Sequence, residues 1–144
     1  MRLTSFTDYS LRVLMYVAAR PQPQATIAEI AASFAVSESH LTKVVHSLGK
    51  QGVLVTVRGH GGGLALACPP DRINIGVVVR AAEAEGALVE CFDRDTNRCV
   101  ITSVCALRPV LVQALEAFYG VLGRYTLADI TRHRRKLQHM LGLV

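Results

Sequence analysis

Several features are missing from this chain, and each absence closes off a class of function. No apolar run is long enough to cross a bilayer, since Leu11 to Ala19 is short and interrupted. No basic-then-apolar segment opens the chain, so the expectation is a cytoplasmic protein without a membrane partner. No Ser/His/Asp order, phosphate-cradling loop or paired-carboxylate motif stands out, and the five histidines are scattered, which argues against an enzyme. The short C-x-x-C knuckle that marks structural zinc is absent as well. Internal repeats and low-complexity tracts are also lacking.

What remains is a chain of 144 residues, 51% apolar, with four cysteines and a formal charge of +5. That length can bury one core and carry an appended helix that needs a partner. The basic balance favours a polyanion, although Arg132, Arg134, Arg135 and Lys136 supply much of it. In a reducing compartment, four cysteines point to metal binding, redox sensing or core packing rather than stable disulfides.

Helical spacing of Leu11, Leu14, Met15 and Ala18 predicts a first helix ended by Pro21 to Pro23. Thr26-Ile27-Ala28-Glu29 has the form of a capping box and opens a second helix expected to stop near Ser33. After a turn at Phe34 to Val36, Ser37 caps a third helix with Leu41, Val44, Val45 and Leu48 as its buried stripe. Val53 to Val57 and Leu64 to Ala67 read as two strands around the glycine-rich tip Arg58 to Gly63. Ile75, Val78, Val79 and Ala82 mark a further helix.

Glu90 to about Thr102 shows no periodicity. From Leu107, the residues Leu111, Ala114, Phe118, Val121 and Tyr125 form a heptad-like seam over roughly 25–30 Å. Val110, Leu115, Tyr119 and Leu122 add a second stripe, so this helix can face its own domain and another chain. Thr126 to Asp129 restarts a last helix running to about His133 or beyond.

The expected fold is mainly α with a small β-hairpin. Residues 1–83 form a winged helix-turn-helix DNA-binding domain with its wing at about 53–67. A cluster-binding loop spans 84–105, and a dimerisation helix with a C-terminal helix spans 106–144. Ser37, Ser39, His40, Thr42, Lys43 and His46 can reach base edges or phosphates in a major groove. Arg58, Gly59 and His60 at the hairpin tip suit the minor groove or the backbone. A two-fold dimer would read an inverted repeat in double-stranded DNA, with half-sites a whole number of turns apart.

Cys91, Cys99 and Cys105 are separated by seven and five residues in the aperiodic segment. That spacing favours an iron-sulfur cluster over zinc, while an accidental or buried trio stays open. Glu90, Asp93 and Asp95 are near enough in sequence to supply a fourth ligand. Cys68 reads as a core or surface thiol. Asp8 stands four residues before Arg12, a spacing for an ion pair near a helix start.

Taken together, Leu3 to Tyr9, Val36 to Lys43, Val57 to Gly63, Ile75 to Arg80, the three cysteines and Tyr125 to Asp129 resemble the NsrR and IscR family of winged-helix iron-sulfur regulators. The likeness is strongest to its nitric-oxide-sensing branch, and it spans nearly the whole chain. Arg108 stands where IscR-like members would carry a histidine, which argues against that branch. The resemblance implies a homodimeric repressor that senses nitric oxide and controls nitrosative-stress genes. Its cluster, 4Fe-4S favoured over 2Fe-2S, would sit on Cys91, Cys99 and Cys105, with Asp8 of the other subunit completing the site. Asp8 and Arg12 would then form a switch, Asp8 leaving iron for Arg12 when the cluster is lost. A cluster-status or redox sensor of the same family, or a zinc-stabilised DNA-binding regulator, are the alternatives.

Overall fold

The first helix of the computed structural model, α1 (Ser5–Ala19), starts at Thr4, whose hydroxyl accepts the Thr7 N–H at 3.2 Å. Residues 2–59, 61–84 and 86–144 are described. Thr7, Ser10, Val13, Leu14 and Val17 recur at three- and four-residue steps and are all buried, so one stripe of α1 forms the centre of the core. Buried Ser10 stays satisfied by donating to the Phe6 carbonyl at 2.8 Å.

The helix-turn-helix follows from local chemistry. At the start of α2 (Ile27–Phe34), the capping box forms in both directions between Thr26 and Glu29. The helix runs one residue past the expected end at Ser33, because Ala35 adopts a left-handed conformation (φ 52°) that lets its N–H reach the Ala31 and Ala32 carbonyls. A non-glycine residue accepts that geometry at a cost of roughly 1–2 kcal/mol. Ser37 caps α3 (Glu38–Lys50), and Leu41, Val44, Val45 and Leu48 are buried as the spacing predicts.

Strands β1 (Leu54–Val57) and β2 (Gly63–Leu66) pair antiparallel, with Leu54 opposite Leu66 and Val57 opposite Gly63. A third rung joins them. Ala25 and Leu64 exchange backbone hydrogen bonds of 2.9 and 2.6 Å, fixing the wing to the segment between α1 and α2.

Beyond a 3-10 turn at Pro70–Arg72, α4 (Ile75–Ala82) buries Ile75, Val78 and Val79. Gly76 is required there, since a Cβ would lie 2.7 Å from the Gly123 nitrogen. That close approach brings α5 (Leu107–Leu122) against α4. The expected aperiodic loop contains a 3-10 turn at Glu90–Phe92.

The long seam is shorter than its periodicity suggested. Gly123 caps α5 after Leu122, and Tyr125 instead gives its carbonyl to the Ile75 N–H at 3.0 Å. Phe118, Tyr119 and Leu122 pack on the core, whereas Leu107, Val110 and Val121 are 60, 57 and 47% exposed. The two stripes therefore share both faces rather than taking one each.

The single last helix is in fact two. Thr126 and Asp129 form a capping box on α6 (Leu127–Ile130), which ends as the buried Thr131 hydroxyl turns back to the Leu127 carbonyl at 2.7 Å. The chain restarts as α7 (Arg134–Met140). Leu127 is fully buried, and Arg134 and Gln138 donate to the Ala19 and Arg20 carbonyls that end α1. No helix among the described residues is long and apolar enough to cross a membrane.

Candidate nucleic-acid interface and metal centre

The buried stripe of α3 leaves the opposite face free. Ser39, Lys43, His46 and Lys50, at steps of four, three and four, are all exposed along it. Such a stripe on a helix of about three and a half turns has the dimensions to enter a major groove, where its cations would face phosphates. Lys50, four residues beyond His46 on the same face, completes the exposed row and joins the expected DNA-facing set as a candidate.

Two of the expected DNA-facing residues have local duties. Ser37 accepts the His40 N–H at 3.4 Å as the helix cap, and the Thr42 hydroxyl donates to the Glu38 carbonyl at 2.8 Å. His40 lies beside Tyr9 of α1, ring centroids 6.4 Å apart. In the wing, Arg58 is exposed and Gly59 takes φ 104°, a conformation that favours glycine and lets the tip turn sharply. His60 falls outside the described residues.

The three cysteines lie on one loop. Cys91 is in the 3-10 turn, Cys99 lies in the irregular stretch between turns at 94–96 and 100–104, and Cys105 stands just before the Ala106 cap of α5. All three are free and half-buried. Two hydrogen bonds fold the loop back on itself. Glu90 Oε1 accepts the Arg98 N–H at 2.6 Å, linking the neighbours of Cys91 and Cys99, and Arg108 Nε donates to the Cys91 carbonyl at 3.3 Å, linking the start of α5. Cys99 is held at both backbone groups, by Asn97 Oδ1 at 3.0 Å and the Thr102 hydroxyl at 2.7 Å.

The acidic loop residues serve the scaffold. Asp93 accepts from Thr96 Oγ1 and the Asp95 N–H, which hold its carboxyl below the ordinary range, and Glu90 is engaged with Arg98. Between Cys99 and Cys105 the chain carries Val100, Ile101 and Val104, which are 94, 54 and 81% exposed. Among the described residues no three His, Cys, Asp or Glu side chains converge closely enough to hold a metal ion. Three free, half-buried thiols on a loop pinned at two of its stations nonetheless make a donor set that suits a thiolate-held cluster.

Asp8 lies on the first turn of α1. Its carboxylate takes a bidentate ion pair from Arg12, with Nη2 to Oδ2 at 2.8 Å and Nε to Oδ1 at 3.0 Å. The guanidinium also sits 6.0 Å from the Tyr9 ring centre and 5.6 Å from that of Phe34, the last residue of α2. The pair therefore borders the turn between the two helices of the reading head.

Residues 3–133 match the model of the Rrf2 family, described as iron-dependent transcriptional regulators. The chain is 46% identical over 144 residues to the HTH-type transcriptional regulator NsrR of Bacillus subtilis (strain 168), covering 99% of each. It is 49% identical over 142 residues to NsrR of Geobacillus kaustophilus (strain HTA426), covering 98% of this chain and 97% of that one. Among solved structures, T. potens IscR superposes with a TM-score of 0.75 at 22% identity, covering 96% of this chain and 91% of that one. That likeness bears on the fold, a winged helix-turn-helix.

Proposed function

This chain belongs to the Rrf2 family of transcriptional regulators, and from that premise we propose that it is a homodimeric iron-sulfur repressor which senses nitric oxide and then releases promoters of nitrosative-stress genes. Its main support is the loop that presents three free, half-buried thiols directly ahead of a helix with no buried residue of its own. No catalytic step is involved.

Cys91, Cys99 and Cys105 would hold the cluster, 4Fe-4S in the favoured case, with Asp8 of the partner subunit as the fourth ligand. When bound, the cluster supplies iron at which nitric oxide reacts. Leu107, Val110 and Val121 of α5 would meet their counterparts in the second subunit, removing apolar surface that the lone chain leaves in water. In the dimer, two copies of α3 and its wing read an inverted repeat in the cytoplasm.

Asp8 has one carboxylate and two demands on it. On its own helix it pairs with Arg12; across the interface it would ligate iron. A carboxylate is a harder ligand than a thiolate, so Asp8 would be the ligand most readily given up. Arg12, which pairs with Asp8 on its own helix and lies against Phe34, would then hold the carboxylate and pass the change to the helix-turn-helix. A coupling of about 1–3 kcal/mol, the usual scale, is enough to change promoter occupancy decisively.

The test is operator binding by anaerobically purified protein, before and after nitric oxide and, separately, peroxide or an iron chelator. Release by substoichiometric nitric oxide, with peroxide and chelator less effective, is the expected result. Colourless protein containing stoichiometric zinc, or equal release by peroxide, would rule the reading out.

A further inference from the structure

At the start of α1, a contact links residues 76 to 79 positions apart. One carboxylate oxygen of Glu83, Oε1, accepts the Thr4 N–H at 2.8 Å, the Thr4 hydroxyl at 2.9 Å and the Thr7 hydroxyl. Thr4 is the cap of α1 and Thr7 is buried, so Glu83 binds the helix through both its exposed and its buried side. A carboxylate in this position also faces the positive end of the helix dipole.

Glu83 is equally fixed at its other end. It caps α4, its N–H donating to Val79 at 3.0 Å, and its carbonyl accepts from Gly86 at 3.0 Å. The segment that leads to Cys91 leaves from this turn. On the α3 side, a groove of about 650 Å³ bordered by Thr4, Lys43, His46, Lys50 and Glu83 separates the same turn from the recognition helix. The Glu83 hydrogen bonds act on this turn from the α1 side, beside the packing of α4 against α1 and α5.

We propose that Glu83 is a positioning residue: through Thr4 and Thr7 it fixes the first turn of α1, and with it Asp8, to the end of α4 from which the cysteine loop departs. In a dimer this links the two sites. The loop of one subunit, through Glu83, sets the Asp8 that serves the other subunit, so the state of one loop is felt at both. The latch itself is read from the contacts above, and its effect on the cluster rests on the role of Asp8 already proposed.

Hydrogen exchange on the full-length chain without its cluster tests the latch independently of any loaded site. Glu83→Ala should speed exchange at the Thr7 and Asp8 amides about tenfold or more, while the α3 amides of Val45 and Leu48 keep wild-type rates. Glu83→Gln, whose Oε1 still accepts, should stay near wild type. Thr7→Val, which removes one of the three bonds, should fall between. Unchanged exchange in Glu83→Ala, or Glu83→Gln exchanging as fast as Glu83→Ala, overturns the latch.

Cluster lifetime then separates the two readings. Asp8→Ala and Glu83→Ala should each shorten it, and the double variant should be no shorter-lived than Asp8→Ala, because Glu83 acts through Asp8. A double variant clearly shorter-lived than Asp8→Ala would overturn that route. If Asp8→Ala leaves the lifetime unchanged, Asp8 is withdrawn as a ligand, while the exchange data still decide the latch.

Discussion

Lys43→Ala should weaken operator binding mainly by lowering its salt dependence. Lys43 is exposed at the middle of the α3 stripe, with Lys50 two turns on and Arg58 at the wing. If all three reach phosphates, a dimer makes six such contacts, and each contributes about −0.9 to the slope of log affinity against log salt. Removing Lys43 from both subunits should therefore flatten the slope by about 1.8. Over a fourfold rise in salt, from about 50 to 200 mM, the variant should lose about tenfold less affinity than the wild type. Fluorescence anisotropy of a labelled palindromic operator across that range measures it directly. Lys136→Ala, a cation on α7 away from the stripe, is the control and should leave the slope alone. A Lys43→Ala slope equal to the wild type, or a Lys136→Ala slope that flattens as much, would refute the placement of the DNA interface.

Two further expectations concern the scaffold. The Glu29 carboxyl is held down at about 2, from an ordinary 4.5, chiefly by hydrogen bonds from Arg20 at 2.6 and 2.8 Å and then by Thr26, against the opposing effect of burial. Stability from this pair is thus fully present above pH 4.5 and lost as pH falls toward 2. Because the Glu29 side chain is 42% exposed, solvent screening limits the effect to about 1 kcal/mol. Urea melts of wild type and Arg20→Ala at neutral and acid pH should therefore converge as pH drops, and a gap that persists at pH 2 would contradict the assignment. Leu127→Ala should cost about 2–5 kcal/mol in the same melts, since a fully buried leucine in the shared core leaves a cavity. A cost under about 0.5 kcal/mol, the range of ordinary surface changes, would mean that α6 is not part of the core.

Much of the reading head was legible because its determinants are local. Thr26 with Glu29, and Ser37 ahead of the Leu41, Val44, Val45 and Leu48 stripe, carry their own caps and periodicity within a few residues. The Asp8 to Arg12 pair is likewise a four-residue relation on one helix. The features that were not legible depend on distant partners. Ala25 gives no strand signal alone and pairs only because Leu64 comes alongside. Tyr125 fits a heptad, yet its carbonyl is drawn to Ile75, which ends the seam early. Thr131 stops α6 by turning its hydroxyl inward, a choice made by burial rather than by propensity. Glu83 meets Thr4 and Thr7 only in the folded chain. In the cysteine loop the spacing suggested the donors, but not that Glu90 and Asp93 would be occupied in holding the loop.

The claim that three particular thiols hold the cluster is tested most directly by iron and acid-labile sulfide content after anaerobic purification of four single variants. Cys91→Ser, Cys99→Ser and Cys105→Ser should each lose both iron and sulfide, while Cys68→Ser, whose half-buried thiol packs against the core away from the loop, should retain them at wild-type stoichiometry. Full iron and sulfide in any of the three loop variants, or their loss in Cys68→Ser with the fold intact, would contradict the account.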